Sequence, residues 1–341
     1  MWDGQDLSRY VRTTWMLNAQ CSLELPTLKA RVRFLSAQET ASLTETARRR
    51  NVFARHSWEN NFYLQQIGEL SNTTVIEVLR PGDPDDMISE AQAVAGLLER
   101  LTVLSSTFVL SRPDLHRLLA ITPDRSSSID ITLGRQFYYL RSTARPAPIA
   151  KGIAIDDRFT RRFERCGFPQ LLAVCTSGKE IAQRLEIASR WLFESRQEPS
   201  KPAAIVKTAI ALEALLIANE SEPLTRALSE RAAFLLSRDA ATRRAISRNV
   251  RKFYTARSSV VHGNRRRTSD ISPELLEGMD RLILLLCLMI AANVADWSSM
   301  EALTSWCEDQ KWGAPAVAII QPFPGQYLTG ALRLLDQASD N

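Results

Sequence analysis

Histidine is scarce in this sequence, and cysteine does not occur in pairs. The chain of 341 residues contains three histidines and five cysteines, and no two cysteines have CxxC spacing. Because a structural zinc site needs four Cys or His ligands at close spacing, we expect neither a metal site nor a metal cofactor. An odd, scattered set of cysteines is typical of reduced thiols in a cytosol, where they pack as small apolar side chains.

Long apolar runs are also missing. The longest run, 282–292, is much shorter than the roughly 20 residues that a membrane-spanning helix needs, so we predict a buried core helix there. Asp3, Asp6, Arg9 and Arg12 interrupt the start of the chain and leave no room for the apolar segment of a signal peptide. Together these absences predict a cytoplasmic protein with no membrane partner.

A phosphate-binding loop is absent as well. Gly178-Lys179 resembles the end of the GxxxxGK motif, but the upstream glycine is missing. Ser177 and Glu180 instead fit a helix capping box, with Ser177 as the N-cap. The net charge of +5 is mildly basic and comes almost entirely from arginine, which suits phosphate contacts, although genome composition produces the same bias.

The first part of the chain mixes strand and helix patterns. Residues 28–34 alternate strictly and predict a strand with Lys29, Arg31 and Arg33 on its outer face. The other strand predictions cover 62–67, 74–79 and 129–133, and one long helix is predicted over 87–110. We therefore predict an α+β domain over residues 1–175.

From Ser177 onward the apolar spacing predicts helices almost without interruption. Five amphipathic segments form a predicted all-α bundle over residues 178–298. The fourth helix is predicted from Ala240 to His262, where Gly263 provides a left-handed stop. The tail, 299–341, is predicted to pack on the bundle through an amphipathic segment.

Charged residues interrupt three apolar helix stripes. Glu213, Arg231 and Arg257 each lie at helical spacing from apolar neighbours. Because an unpaired buried charge is costly, they predict either an internal ion-pair network or a polar cleft between helices. Arginines at the edge of a stripe, with heads that reach water, are the ordinary alternative.

His262 lies at the predicted C-terminal end of the fourth helix, where the helix dipole favours a cation. A lone histidine is more often structural, and we expect this for His56 and His116. His262 differs because Arg257 precedes it by five residues in the same helix.

Three segments of the helical region resemble the ApeA-like branch of the HEPN superfamily. They are 211–216 (ALEALL), 224–236 (LTRALSERAAFLL) and 252–263 (KFYTARSSVVHG), within a region that covers a little over a third of the chain. Arg257 and His262 match the RxxxxH signature of the ribonucleases in that superfamily. The resemblance implies an all-α HEPN bundle and metal-independent cleavage of RNA in a site built at a dimer interface.

The resemblance also implies roles for individual residues. Arg257 and His262 are the implied catalytic pair, and the implied supporting polar residues are Ser258, Glu213, Arg231 and Tyr254. Arginine suits the negative charge that develops on phosphorus during cleavage. Histidine suits the activation of a ribose 2′-hydroxyl or the protonation of a leaving oxygen, and the sequence leaves open which of these His262 performs.

Helical geometry adds a constraint on this pair. Residues five apart project about 140° from each other on an ideal helix. Arg257 and His262 therefore do not share a face of their helix, and we predict a homodimer in which two chains contribute to one site.

Two interpretations stay open. Active members commonly place Asn, Asp or His after the motif arginine, whereas this chain has Ser258, which favours a non-catalytic HEPN module that dimerises and binds RNA or a nucleotide. The leading hypothesis is an endoribonuclease of bacterial anti-phage defence, acting in abortive infection or as a toxin, with residues 1–175 as a sensing or restraining domain. Its predicted partners are RNA, including tRNA, and a phage-derived activator or an antitoxin.

Several arginines and one lysine are candidates for RNA contact. The Arg265-Arg266-Arg267 run follows the motif directly, and the outer face of the predicted strand carries Lys29, Arg31 and Arg33. An exposed charged loop without an RNA role is the ordinary alternative for the run.

Overall fold

The computed structural model describes most of the chain, and the statements below refer to the residues that it describes. These are 7–14, 17–49, 64, 67–68, 70–81, 84–109, 124–133, 138–147, 153–218, 222–263, 271–313 and 319–340. Their contacts divide the chain into two compact units. One lies within Met1–Ser106 and Ile121–Arg161, and the other within Thr107–Ala120 and Arg162–Asn341.

The first unit is an α+β structure built around an antiparallel sheet. Its strands are β1 (Leu7–Thr13), β2 (Leu17–Ala19), β3 (Leu23–Leu25), β4 (Ala30–Leu35), β5 (Thr73–Pro81), β6 (Asp124–Leu133), β7 (Tyr138–Ala147) and β8 (Ile153–Ile155). Helices α1 (Ala37–Arg49) and α2 (Pro84–Val109) lie between these strands in the sequence. Six strands form the sheet in the order β3-β4-β5-β1-β6-β7, while β2 and β8 form a separate parallel pair.

The strand predicted over 28–34 is present but shifted. Leu28 ends a short 3₁₀ turn, and Lys29 has a left-handed backbone with φ 46°, so the strand begins at Ala30. Phe34, expected on the buried face, is 45% exposed, whereas Leu35 is buried. Leu35 belongs to a core cluster that includes Val11 and residues from the turn at 67–70. This cluster covers one end of the face that carries Arg31 and Arg33, so the predicted cationic outer face is only partly exposed.

The long helix predicted over 87–110 is α2, and the strands predicted over 74–79 and 129–133 lie within β5 and β6. The strand predicted over 62–67 lies largely outside the described residues, and its described positions, 64 and 67, are helical. A buried ion pair joins β1 to α2, with Arg12 Nη2 3.7 Å from Glu99 Oε2. Thr14 donates a hydrogen bond to the same carboxylate.

The second unit is helical. After α3 (Asp157–Arg165) come α4 (Phe168–Cys175), α5 (Glu180–Arg196), α6 (Lys201–Leu216), α7 (Leu224–Leu236), α8 (Ala240–Val261), α9 (Pro273–Ala292), α10 (Met300–Lys311) and α11 (Gly325–Asp340). Helices α5 to α9 agree with the five predicted from apolar spacing. The chain therefore has an α+β region followed by a helical region.

Helix α9 lies at the centre of the helical unit. Every residue from Leu282 to Ala291 is buried, as the long apolar run predicts. Gly278 permits a close approach of α11, because a Cβ atom at this position would lie 2.6 Å from Leu335 Cγ. Among the described residues, no helix is long and apolar enough to cross a membrane.

The capping box predicted at Ser177 is wrong. Helix α5 begins at Glu180 after Lys179 as N-cap, with no side-chain hydrogen bond to the cap. Gly178 has φ 72°, which turns the chain before the helix, and Glu180 accepts a hydrogen bond from the backbone N–H of Met300 instead. Glu180 therefore joins α5 to the start of α10 rather than closing its own first turn.

Candidate functional site

Helix α8 positions both residues of the RxxxxH pair. It begins after Asp239, whose carboxylate accepts a hydrogen bond from the backbone N–H of Thr242 at 2.7 Å. It ends at Val261, followed by His262 as C-cap and by Gly263 with φ 69°, the left-handed conformation that the sequence predicts. The backbone N–H of His262 donates to the Ser258 carbonyl at 3.0 Å, so the last turn of the helix is closed at His262.

Arg257 lies in a small polar cluster between α8 and α6. Its Nη2 atom is 3.7 Å from Glu213 Oε1, and its guanidinium carbon lies 5.5 Å from the centre of the Tyr254 ring. The Tyr254 hydroxyl donates a hydrogen bond to Glu213. Burial and this hydrogen bond to the Glu213 carboxylate raise the pKa of Tyr254 well above its ordinary value. Tyr254 therefore stays a neutral donor, and Glu213 serves both the phenol and the guanidinium.

The two motif side chains have different surroundings. The Arg257 side chain is 25% exposed, and its Nε–H is buried with no hydrogen-bond acceptor among the described residues. His262 is exposed at the end of the helix. Val250 and Phe253, which share the Arg257 side of α8, are buried in the core. The pair is thus divided between the inner and the outer face of one helix.

Arg231 is separate from this cluster. It is 9% exposed, and its Nη1 atom lies 2.7 Å from Glu222 Oε2 and 2.5 Å from the Leu216 carbonyl oxygen. Its partners are Leu216 at the end of α6 and Glu222 in the connection before α7, so Arg231 is not part of the ion pair of Glu213 and Arg257. Arg231 fixes the end of α6, and its role in a site with Glu213 stays a prediction.

The remaining predicted residues are dispersed. Ser258 is half-buried, with its carbonyl used to cap α8. Arg31 and Arg33 both contact the buried Glu77, with Nε to Oε2 distances of 2.5 Å and 2.9 Å, so their charge is compensated within the sheet. Lys29 lies in the turn before β4 rather than on the strand. Arg265, Arg266 and Arg267 lie outside the described residues.

A buried ion network in the helical unit escaped the sequence reasoning. Arg196 on α5 contacts Glu277 at 3.1 Å and Asp280 at 3.7 Å, and both carboxylates belong to the apolar α9. Thr208 on α6 donates to Asp280 at 3.0 Å. The pair of acids in the first half of α9 could have indicated this network, but acids near the start of a helix are equally typical of a solvent-exposed first turn. All four side chains are buried, so this is a core network and not an open site.

A groove between α7 and α8 was also not predicted from the sequence. Its volume is about 630 Å³, and cationic side chains of α8 line one wall. The signal was present as repeated arginine at helical spacing from Arg243 to Arg251, but a charged outer helix face is so common that composition alone gave it little weight.

The chain was compared with known protein families, with curated proteins and with solved structures, and none of them matches. Among the residues that the structure describes, no group of three or more His, Cys, Asp or Glu side chains is arranged to hold a metal ion.

Proposed function

We propose that this chain is a metal-independent endoribonuclease of the HEPN type that acts as a homodimer. One observation carries the proposal. The exposed His262 lies at the C-terminal end of α8, five residues after a partly buried Arg257 whose Nε–H has no acceptor among the described residues. An acid or base at the surface and a cation close by are the two groups that metal-free RNA cleavage needs.

The chemistry assigns each group a task. Cleavage forms a bond between the ribose 2′-oxygen and phosphorus and breaks the bond between phosphorus and the 5′-oxygen, so one proton is removed and one is delivered. In the proposed reaction His262 transfers one of these protons, and the Arg257 guanidinium stabilises the charge on the phosphoryl oxygens. The products are a 2′,3′-cyclic phosphate and a 5′-hydroxyl end.

A dimer follows from the division of the motif between two helix faces. Arg257 projects toward α6 and His262 toward solvent, so one chain does not direct both side chains at one phosphate. A second copy related by a two-fold axis brings its own His262 to the first chain's Arg257.

A non-catalytic HEPN module that dimerises and binds RNA is the second candidate. The contact between Arg257 and Glu213 favours it, because a guanidinium occupied by a carboxylate is less available to a phosphate. Ser258, in place of the usual Asn, Asp or His, favours it too. Binding without turnover that survives loss of His262 would support this alternative.

For the cell we propose cytoplasmic anti-phage defence by abortive infection or toxin action, with the α+β unit as sensor or restraint. The support is the sequence resemblance together with the fusion of an unlike unit to the helical one. A phage-derived activator or a separately encoded antitoxin is the proposed regulator, and tRNA is one proposed substrate.

The first experiment is an RNA cleavage assay in EDTA with total RNA and labelled tRNA. We expect cleavage by the wild-type chain and a loss of about 100-fold or more in the His262→Ala variant, because acid-base catalysis contributes about 10²- to 10⁴-fold. Arg257→Ala should behave similarly. EDTA removes metal-dependent contaminants, and mass spectrometry of the fragments identifies the cyclic phosphate.

Arg190→Ala is the matched control, since Arg190 is an exposed arginine of α5 outside the cluster. Equal cleavage by wild type and His262→Ala would refute the catalytic assignment. Cleavage by neither chain, with RNA still bound by both, would favour the non-catalytic module.

A further inference from the structure

The groove between α7 and α8 is strongly cationic. Its charged lining residues are Arg243, Arg244, Arg248, Arg251, Lys252 and Glu230. Both oxygens of Glu230 are engaged by cations, with Oε1 2.7 Å from Arg226 Nε and Oε2 2.8 Å from Lys311 Nζ. The single acid is therefore neutralised, and the groove keeps the positive charge of its α8 wall.

Most of this charge is available to a ligand. Arg244 and Lys252 are exposed, and neither forms an ion pair among the described residues, although the charge of the Asp239 carboxylate acts on Arg244. Arg248 Nη2 is 3.4 Å from Asp336 Oδ1, but both side chains are more than half exposed, so water and salt screen the pair. Arg251 donates from Nε to Ser229 Oγ at 3.2 Å, and its terminal nitrogen atoms make no hydrogen bond or ion pair among the described residues.

The groove shares the face of α8 that carries His262. Eighteen residues separate Arg244 from His262, and at 3.6 residues per turn they span five full turns, so the two project in the same direction. Arg251 and Thr255, which line the groove between them, lie within about 20° of that direction. Arg244, Arg251 and the exposed imidazole therefore lie in one line along the helix, and the other groove cations lie to either side of that line.

We propose that this groove binds the phosphodiester backbone of an RNA strand and leads it along α8 to His262. Cations at successive turns of a helix match a polyanion that extends along the helix, and the arginine fork binds phosphate oxygens in pairs. Phosphate contacts of this kind position a strand without reading its sequence. The identity of the ligand as RNA rests on the proposed ribonuclease function, whereas the recognition of a phosphate backbone rests on the groove.

The test measures binding by the full His262→Ala chain, which keeps the groove and lacks the proposed acid or base. The probes are a labelled single-stranded RNA and a DNA of the same sequence. The groove variant carries Arg244→Glu, Arg248→Glu and Lys252→Glu. The matched control carries Lys179→Glu, Arg190→Glu and Lys201→Glu, which reverse three exposed cations elsewhere on the helical unit.

We expect the groove variant to bind RNA at least tenfold more weakly than the control. The slope of log Kd against log salt should also fall by about 2, since each lost phosphate contact to a single strand removes about 0.7. DNA should bind in the same groove and depend on it in the same way, because the contacts are to phosphate. The neutral variant, with Arg244→Gln, Arg248→Gln and Lys252→Gln, should have an RNA affinity between those of the groove variant and the control. Circular dichroism checks that each chain is folded.

Equal weakening in the groove and control variants would overturn the proposal, since binding would then follow net charge alone. Competition by polyglutamate as strong as that by RNA, at matched charge, would also overturn it and indicate an acidic protein partner. The nuclease proposal fails separately. A wild-type chain that binds through the groove but never cleaves would refute only the nuclease. The three groove substitutions introduced into a chain that keeps His262 would refute only the groove if binding and cleavage both stayed normal.

Discussion

Arg196 lies in the most polar part of the bundle core. Its guanidinium faces Glu277 and Asp280, and Arg281 also contacts Glu277 at 2.8 Å. Removing charges from water costs several kcal/mol per ion, and good mutual pairing only offsets that cost. The network therefore adds little net stability, but it makes the relative placement of α5 and α9 specific, because any other placement leaves a buried charge without a partner.

We predict that Arg196→Met lowers the free energy of unfolding by about 3 to 5 kcal/mol, because it leaves two buried carboxylates without their shared cation. Arg190→Met, on the exposed side of the same helix, should change it by no more than about 0.5 kcal/mol. Urea unfolding followed by circular dichroism measures both. A change below about 1 kcal/mol for Arg196→Met would show that the two carboxylates do not depend on it.

The cysteines behave as the sequence predicts for packed thiols. The five cysteines are free, and three of them, Cys166, Cys287 and Cys307, are buried. Burial raises the pKa of Cys307 to about 12, so its reactive thiolate form is rare at neutral pH. Burial also raises the pKa of Cys287.

At the scale of elements, apolar periodicity accounts for most of what the sequence could predict. Helices α5 to α9 have apolar stripes long enough to be unambiguous, and α8 also has its stop at Gly263. Short elements were less predictable. The burial of Leu35 depends on the turn that covers it, and the loss of the capping box at Ser177 depends on the contact of Glu180 with the start of α10. Neither tertiary contact can be inferred from the neighbouring sequence.

The candidate site was predictable to the same degree. Because Glu213 and Arg257 interrupt apolar stripes, their pairing follows from the cost of burying a lone charge. The same rule did not identify the partner of Arg231, since Glu222 lies in the connection before α7 and on no stripe. The groove cations lie on a face where charge is normal, so only the structure shows that they line a groove against α7.

The cap of α8 gives a pH dependence that can be measured. Hydrogen bonds from the backbone N–H and hydroxyl of Thr242 lower the pKa of Asp239. The pKa of Asp239 is therefore lower in the folded chain than in the unfolded chain. The stabilisation by its carboxylate is complete above the ordinary aspartate pKa of about 3.9 and is lost as the pH falls through the folded pKa.

We therefore predict that the wild-type chain loses more stability than Asp239→Asn between about pH 5 and about pH 2, since Asn keeps a capping oxygen but does not titrate. The free energy of unfolding measured across this range compares the two chains. Asp309→Asn, at an exposed position in α10, controls for the loss of one carboxylate and should follow the wild type. Identical curves for wild type and Asp239→Asn would contradict the assignment.

At the scale of the whole molecule, the proposed shared site would make activity depend on how copies combine. In a two-fold dimer with one Arg257 and one His262 from different chains in each site, a dimer of an Arg257→Ala chain with a His262→Ala chain keeps one intact site. Random mixing of equal amounts makes half of the dimers mixed, so about a quarter of the wild-type sites return.

We predict that two inactive variants, Arg257→Ala and His262→Ala, recover about a quarter of wild-type RNA cleavage when they are unfolded and refolded together. The initial rate of cleavage of a labelled RNA in EDTA measures the recovery. Mixing either variant with the double variant should restore nothing. The absence of any recovery, with mixed dimers demonstrated by differential tags, would place both residues of a site in one chain and refute the shared site.

The contact between Gly278 and Leu335 also governs the order in which the helical unit is completed during synthesis. Leu335 leaves the ribosome 57 residues after Gly278, which at about 5 to 20 residues per second is an interval of about 3 to 11 s. Throughout that interval α9 has been made but the helix that covers its glycine has not. The nascent chain therefore exposes one side of this apolar helix for seconds, which is long enough for a chaperone to bind it and which delays completion of the fold until α11 emerges.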